Sequence, residues 1–202
     1  MVKAAMMRVS RAQAEESRER ILREAGRLFR EKGFDGVGVS ELMQAAGLTN
    51  GAFYTHFDSK DDLIAKTCER VLAGSRDPWA ALEREDLSLP EFMDDYLSPA
   101  HARARGEGCT FAALGGDVAR QRPAARQAFS DTLRASLTAL EPRLRGEGDP
   151  TPRQEAIFTL AAMAGALMLA RAVDDPALSR ELLDTVRARL VEDAAGDAVS
   201  RD

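Results

Sequence analysis

Ser40, Thr49, Asn50, Gly51, Tyr54, Thr55, His56 and Lys60 bring hydroxyls, an amide, a phenol, an imidazole and an ammonium group into one short stretch of chain. Groups of these kinds donate hydrogen bonds to phosphate oxygens and base edges, and Lys60 adds a positive charge. None of them is a nucleophile with a base at workable spacing, so the chemistry they offer is contact rather than bond making. Gly51 and Ala52 leave the backbone open to close approach, and the free amides of a helix start attract anions. A purely structural reading has Tyr54 and His56 covering a small core, Lys60 closing a solvated face and Ser40 starting a helix.

Two helices and a corner must position these groups. After Gly38, Val39, Leu42 and Met43 recur at helical spacing, with Ala45 and Ala46 small enough for close packing, which predicts a helix over 39–46. Gly47 ends it, since glycine takes positive φ without steric cost. Thr49 is suited to cap a second helix from Asn50. In that helix Ala52, Phe53 and Phe57 face inward, leaving Asn50, Gly51, Tyr54, Thr55 and His56 outward. Helix–turn–helix docking on a duplex needs this shape.

AGLTNGAFYTHFDSKDDL resembles the recognition helix and following segment of TetR/AcrR-family transcriptional regulators, and the likeness extends from Glu16 to about Leu63. The stretches GCTFAALGGDVARQ and ALMLARAVDDPALSRELL are similar to one branch of that family. The resemblance implies DNA contacts at Thr49, Asn50, Tyr54, Thr55, His56 and Lys60, with Gly51 allowing close approach and Ser40 either touching phosphate or starting its helix, and it implies an antiparallel four-helix interface between two copies; the chain as a whole reads as an all-α fold of about nine helices.

Ahead of the corner, Ser10 and Gln13 form a capping-box pattern. Ile21, Leu22, Ala25, Leu28 and Phe29 then make one stripe ending at Gly33, with Phe34 as the helix-end contact. Ser59 and Asp62 open a fourth helix bearing Leu63, Ile64, Thr67, Val71 and Leu72, which links reader to body. Further helices are predicted from Ser88 to about Leu97, over 110–121, from Pro123 with Pro142 bending or ending it, from Thr151-Pro152 to about Val173, and from Pro176 to about Glu192. Proline and glycine mark 98–108 as a loop, and GEGDP at 146–150 as another. The organisation is a basic arm over 1–15, a helix–turn–helix domain over 16–62, a helical effector-binding and dimerisation domain over 63–192, and a frayed tail over 193–202.

The helix after Thr151 is apolar nearly all round. Ala161, Gly165, Leu169 and Ala172 form a small-residue face, and Phe158, Leu160, Met163, Leu167 and Met168 fill much of the rest. Either it is the core of one subunit or it is shared with a second. With Leu178, Leu182, Leu183, Val186 and Leu190 on the last helix, the pattern favours a homodimer, its interface including Ala161, Gly165, Leu169, Ala172, Leu182 and Val186.

The chain has 202 residues, 45% of them hydrophobic, and a net charge of −5. Residues 1–70 hold 12 Lys and Arg against 11 Asp and Glu, and the remainder 16 against 22, so the acidity sits away from the reading head. Lys3, Arg8, Arg11, Arg18 and Arg20 supply a basic arm for phosphates or a minor groove, or a solvated tail. The apolar run Leu160–Ala170 is shorter than a bilayer span, the amino terminus lacks a signal-peptide core, and Cys68 and Cys109 stand far apart. No membrane association and a reducing cytoplasm are expected.

Cys109, between Gly108 and Thr110 at a helix start, is a candidate thiol sensor, or a small buried hydrophobe; Cys68 reads as packing. Trp79, Phe92, Tyr96, Cys109, Phe111, Leu114, Phe129, Leu133 and Met163 are candidates to line an effector cavity, and any of them serves equally as core. Gly115-Gly116 lacks the spacing of a phosphate loop. His56 and His101 are the two histidines and form no zinc pattern, so no metal, cofactor or catalytic group is expected. These readings converge on a regulator, most simply a repressor, that binds a palindromic double-stranded DNA operator and is released by a small-molecule effector or thiol modification. The alternatives are an architectural protein coating DNA without sequence choice, and a carrier or enzyme with a vestigial head.

Overall fold

A computed structural model describes residues 11–72, 87–144 and 151–199, with side chains described to 70 in the first segment and to 191 in the last. Those residues are helical, with no strand among them. The order is α1 (Arg11–Lys32), α2 (Val39–Ala45), α3 (Asn50–Phe53), α4 (Lys60–Leu72), α5 (Leu89–Tyr96), α6 (Pro99–Arg103), α7 (Thr110–Val118), α8 (Pro123–Leu140), a 3-10 turn (Glu141–Arg143), α9 (Pro152–Ala172) and α10 (Pro176–Val199). Ser10, Lys3, Arg8, Trp79, Gly74, the 146–150 loop and the side chains of Val71 and Leu72 lie outside the described residues.

The head is built as its apolar stripes require. Ile21, Leu22, Ala25, Leu28 and Phe29 of α1 are buried against Leu42 and Met43 of α2 and Phe53 and Phe57 beyond the corner. Each large side chain in this set contributes about 1.5–3 kcal/mol by leaving water. Phe34 packs edge-on to Phe29 at 5.1 Å and is 1% exposed. Val37 is buried beside it, although its place in a loop hides it from any helical period.

In the body, α4 lies against α8, and α9 contacts α7, α8 and α10. Capping boxes form where Ser88 meets Glu91 and where Thr151 meets Gln154. Pro142 falls in the 3-10 turn that ends α8, because its ring forbids the next helical hydrogen bond.

Three expectations are corrected. The 98–108 stretch is not all loop: Ser98 caps the amide of His101 and Pro99 takes the first helical position of α6, where a missing N–H costs nothing. This raises the count above nine helices, to ten among the described residues. Helix α10 continues past 192 to Val199 through an alanine-containing stretch, where a frayed tail is expected. Finally, α9 spans 21 residues and by length and composition alone is apolar enough to cross a membrane. One flank packs into the body through Ala156, Leu160, Met163 and Leu167, while Ile157, Phe158, Met168 and Leu169 are exposed, so the helix is buried on one side rather than all round.

Candidate nucleic-acid interface

Gly47 stands at φ +67°, the left-handed conformation the corner demands, and its amide donates to the Gln44 carbonyl. Leu48 then donates to the Met43 carbonyl, so the chain reverses directly into α3. Phe53 and Phe57 point into the head, their rings 5.7 Å apart. With those two anchored, Asn50, Gly51, Tyr54 and Thr55 must face solvent, and they do. Tyr54 is 74% exposed and rests edge-on against Phe53, a large apolar ring with no intramolecular reason to stay in water.

The remaining predicted contacts gather around it. Asn50 Nδ2 donates to Ser40 Oγ at 3.3 Å, joining the start of α2 to the start of α3. Both residues are exposed. Thr55 Oγ1 donates to the Ala52 carbonyl at 2.6 Å, which fixes its methyl and leaves its oxygen able to accept. His56 is half-exposed, tilted against Phe57. Lys60 is half-buried at the start of α4, where Ser59 Oγ accepts the Asp62 amide and the Asp62 carboxylate accepts that of Asp58. A side chain at Gly51 would meet nothing within 4 Å among the described residues, so none of them requires glycine there.

Two details differ from the sequence reading. Thr49 occupies the N-cap position, but its hydroxyl makes no capping bond. The α-helical part of α3 is four residues long, and Tyr54–His56 continue as tight turns through Thr55 to Ala52 and His56 to Phe53. So short a helix has little dipole, and any anion here is held by individual amides and side chains. Of the basic residues ahead of the motif, Arg11 is exposed. Arg18 instead lies over the Phe57 ring at 5.8 Å, with Lys66 on the ring at 5.7 Å, so its charge helps hold the head together.

The head is bolted to the body at points that no local pattern reveals. Phe34 N–H donates to Asp117 Oδ2 of α7 at 3.1 Å. Arg30 Nε donates to the Gly106 carbonyl at 2.7 Å, and Arg122 pairs with Asp61 at 2.8 Å.

Cys109 caps α7 and is fully buried. Its amide donates to His101 Nε2 at 3.1 Å, and His101 Nδ1 lies 2.7 Å from the Tyr96 carbonyl. The pair of contacts specifies the neutral tautomer with its proton on Nδ1. Burial, ahead of every other influence, pushes the His101 imidazole below its ordinary value. Cys68 is buried in α4, and burial pushes its thiol up to about 12, which suits packing. Of the predicted cavity lining, Phe92, Tyr96, Phe111, Leu114 and Met163 are buried in the core, with Phe129 and Leu133 partly buried against it. Among the described residues no group of His, Cys, Asp and Glu could hold a metal ion.

Residues 21–67 match the family described as bacterial regulatory proteins, tetR family. The chain is 41% identical over 64 residues to the HTH-type transcriptional regulator AcrR of Shigella flexneri, covering 32% of this chain and 30% of that one. It is 33% identical over 95 residues to the HTH-type transcriptional repressor BepR of Brucella suis, covering 47% and 41%. The matched stretches thus span less than half the length of these curated relatives. The fold of the reduced form of NemR from E. coli superposes over 87% of this chain and 95% of that one, with a TM-score of 0.69 at 23% identity. A head similar in sequence to tetR-family regulatory proteins is thus joined to a body that shares the fold of NemR.

Proposed function

We propose that this chain is a DNA-binding transcriptional repressor that reads a palindromic operator as a homodimer. The observation that carries the reading is Tyr54, 74% exposed amid Asn50, Thr55 and half-exposed His56 while Phe53 and Phe57 anchor the turn behind it. In this reading the phenol and imidazole donate to phosphate, Asn50 and Thr55 meet base edges or backbone, and Lys60 pairs with phosphate.

The exposed flank of α9 supports the dimer. Ala161, Leu169 and Ala172 are exposed, Gly165 is half-buried with open space where a side chain would stand, and Phe158 and Met168 widen the same apolar strip. Leu182 and Val186 of α10 are half-buried beside it. Twofold pairing through this strip would present two heads to half-sites about 34–36 Å apart. A small molecule among the middle helices, or alkylation of the Cys109 sulfur with loss of its proton, would release the operator by favouring one spacing of the heads. Since Cys109 is fully buried, its alkylation requires a local opening of the structure around it.

Selection of random duplexes by the purified chain tests the reading. The regulator enriches a dyad, whereas an architectural protein enriches nothing. Tyr54→Ala and Lys60→Ala each weaken binding to the selected site by about tenfold while the dimer persists. Unchanged affinity in both would refute the contact assignment. A Cys109→Ser variant that still lost DNA on treatment with N-ethylmaleimide would end the thiol route.

A further inference from the structure

We infer that the cleft between α6 and the α9–α10 turn is a binding site for a small organic anion, a carboxylate or phosphate monoester with an apolar tail. The cleft encloses about 420 Å³, within the range of small-molecule sites. It is lined by Arg103, Arg105, Arg171 and Arg180, with Asp174 and Asp175. It is separate from the core positions named for the middle helices and from the DNA-facing turn.

Three observations point to an anion. Six arginines elsewhere in this acidic chain, Arg27, Arg70, Arg122, Arg134, Arg153 and Arg187, each lie against a carboxylate. The four in the cleft pair with none among the described residues, and one of the two carboxylates is already engaged, Asp175 Oδ1 accepting the Ala177 amide at 2.8 Å. Second, two of the cations are held in place. Arg171 donates from Nη2 to the His101 carbonyl at 2.9 Å and from Nε to that of Ala102 at 3.2 Å, and Arg105 Nη2 donates to the Arg171 carbonyl at 2.8 Å. A guanidinium already fixed loses little freedom on meeting a ligand. Third, burial, with a lesser contribution from the Arg105 charge, pushes the Arg171 guanidinium below its ordinary value, and its Nη1 is buried without a hydrogen-bond partner. An anion in the cleft would favour the charged form of Arg171.

The tail follows from the floor, which includes buried Ala102, Ala170 and Leu183. A concave site with such a floor suits a compact amphipathic molecule better than the long, fully polar edge of a duplex. Arg105 also adjoins Gly106, whose carbonyl Arg30 of α1 grips, so the site borders the joint between body and head.

Calorimetric titration of the full chain with phenyl phosphate, benzoate and inorganic phosphate tests this. Phenyl phosphate or benzoate should saturate one site per chain, the tighter of the two identifying the anion class, and inorganic phosphate should bind at least about tenfold more weakly for want of a tail. Arg103 and Arg180 make no hydrogen bond or ion pair among the described residues, so R103Q/R180Q keeps the fold and should weaken binding by at least about tenfold. R134Q/R187Q, which removes charges outside the cleft, should leave it unchanged. The inference falls if neither organic anion saturates, or if R103Q/R180Q binds like the parent. It falls equally if that variant loses DNA affinity while no anion binds, which would assign the arginines to the duplex.

Discussion

The joint between head and body rests on a contact that a double-mutant cycle can isolate. Asp117 Oδ2 accepts the buried amide of Phe34, and the β-carbon that alanine would add at Gly33 lies 2.7 Å from that same oxygen. Asp117→Ala leaves the amide without its acceptor, at a cost of about 1–3 kcal/mol. Gly33 stands at φ +75°, so Gly33→Ala carries a left-handed backbone cost of about 1–2 kcal/mol and also expels the carboxylate, losing the same hydrogen bond. Once Asp117 is alanine there is nothing left to expel, and the glycine substitution should cost only its backbone share. The double variant should therefore fall short of the sum of the singles by the shared hydrogen bond, about 1–3 kcal/mol. Urea unfolding followed by circular dichroism at one protein concentration measures each term, and thermal midpoints should shift by about 2–4 °C per kcal/mol in a chain of this size. Asp117→Asn, which keeps an acceptor, should recover part of the loss. Additivity within about 0.5 kcal/mol would refute the claim that these two residues share one contact.

Leu169→Arg, at a position 47% exposed on the apolar strip of α9, should raise the dimer dissociation constant more than about tenfold without lowering helicity, as sedimentation would show. A fully dimeric variant would move the interface elsewhere. His101 is pushed below its ordinary value of 6.5, so on acidification the unfolded chain takes up the proton first. Its stabilising contribution is complete above pH 6.5 and is lost as pH falls from there toward the folded value, and His101→Gln should flatten that part of the stability profile. An unchanged slope would contradict the burial of a neutral ring. With its thiol pushed up to about 12, Cys68 should resist iodoacetamide at pH 8 in the folded chain and react once unfolded in urea. Peptide mapping that found it labelled in the native protein would overturn this.

The amino-acid sequence by itself determined the elements and the outward face of the reading head. A glycine at 47, apolar residues at helical spacing, and serine or threonine with a glutamate or glutamine three residues on act within one or two turns of chain, so their consequences can be read without the fold. The apolar excess of α9 was legible for the same reason. Tertiary structure alone decided what those elements do to one another: that Arg18 stacks on Phe57, that Asp117 holds Phe34, that Arg30 grips Gly106, and that four arginines from three parts of the chain share a cleft. Partners such as Asp117 and Phe34 stand 83 residues apart. No periodicity reaches that far, and whether a charged side chain meets water, an aromatic ring or a backbone amide depends on which surfaces the packed helices bring together.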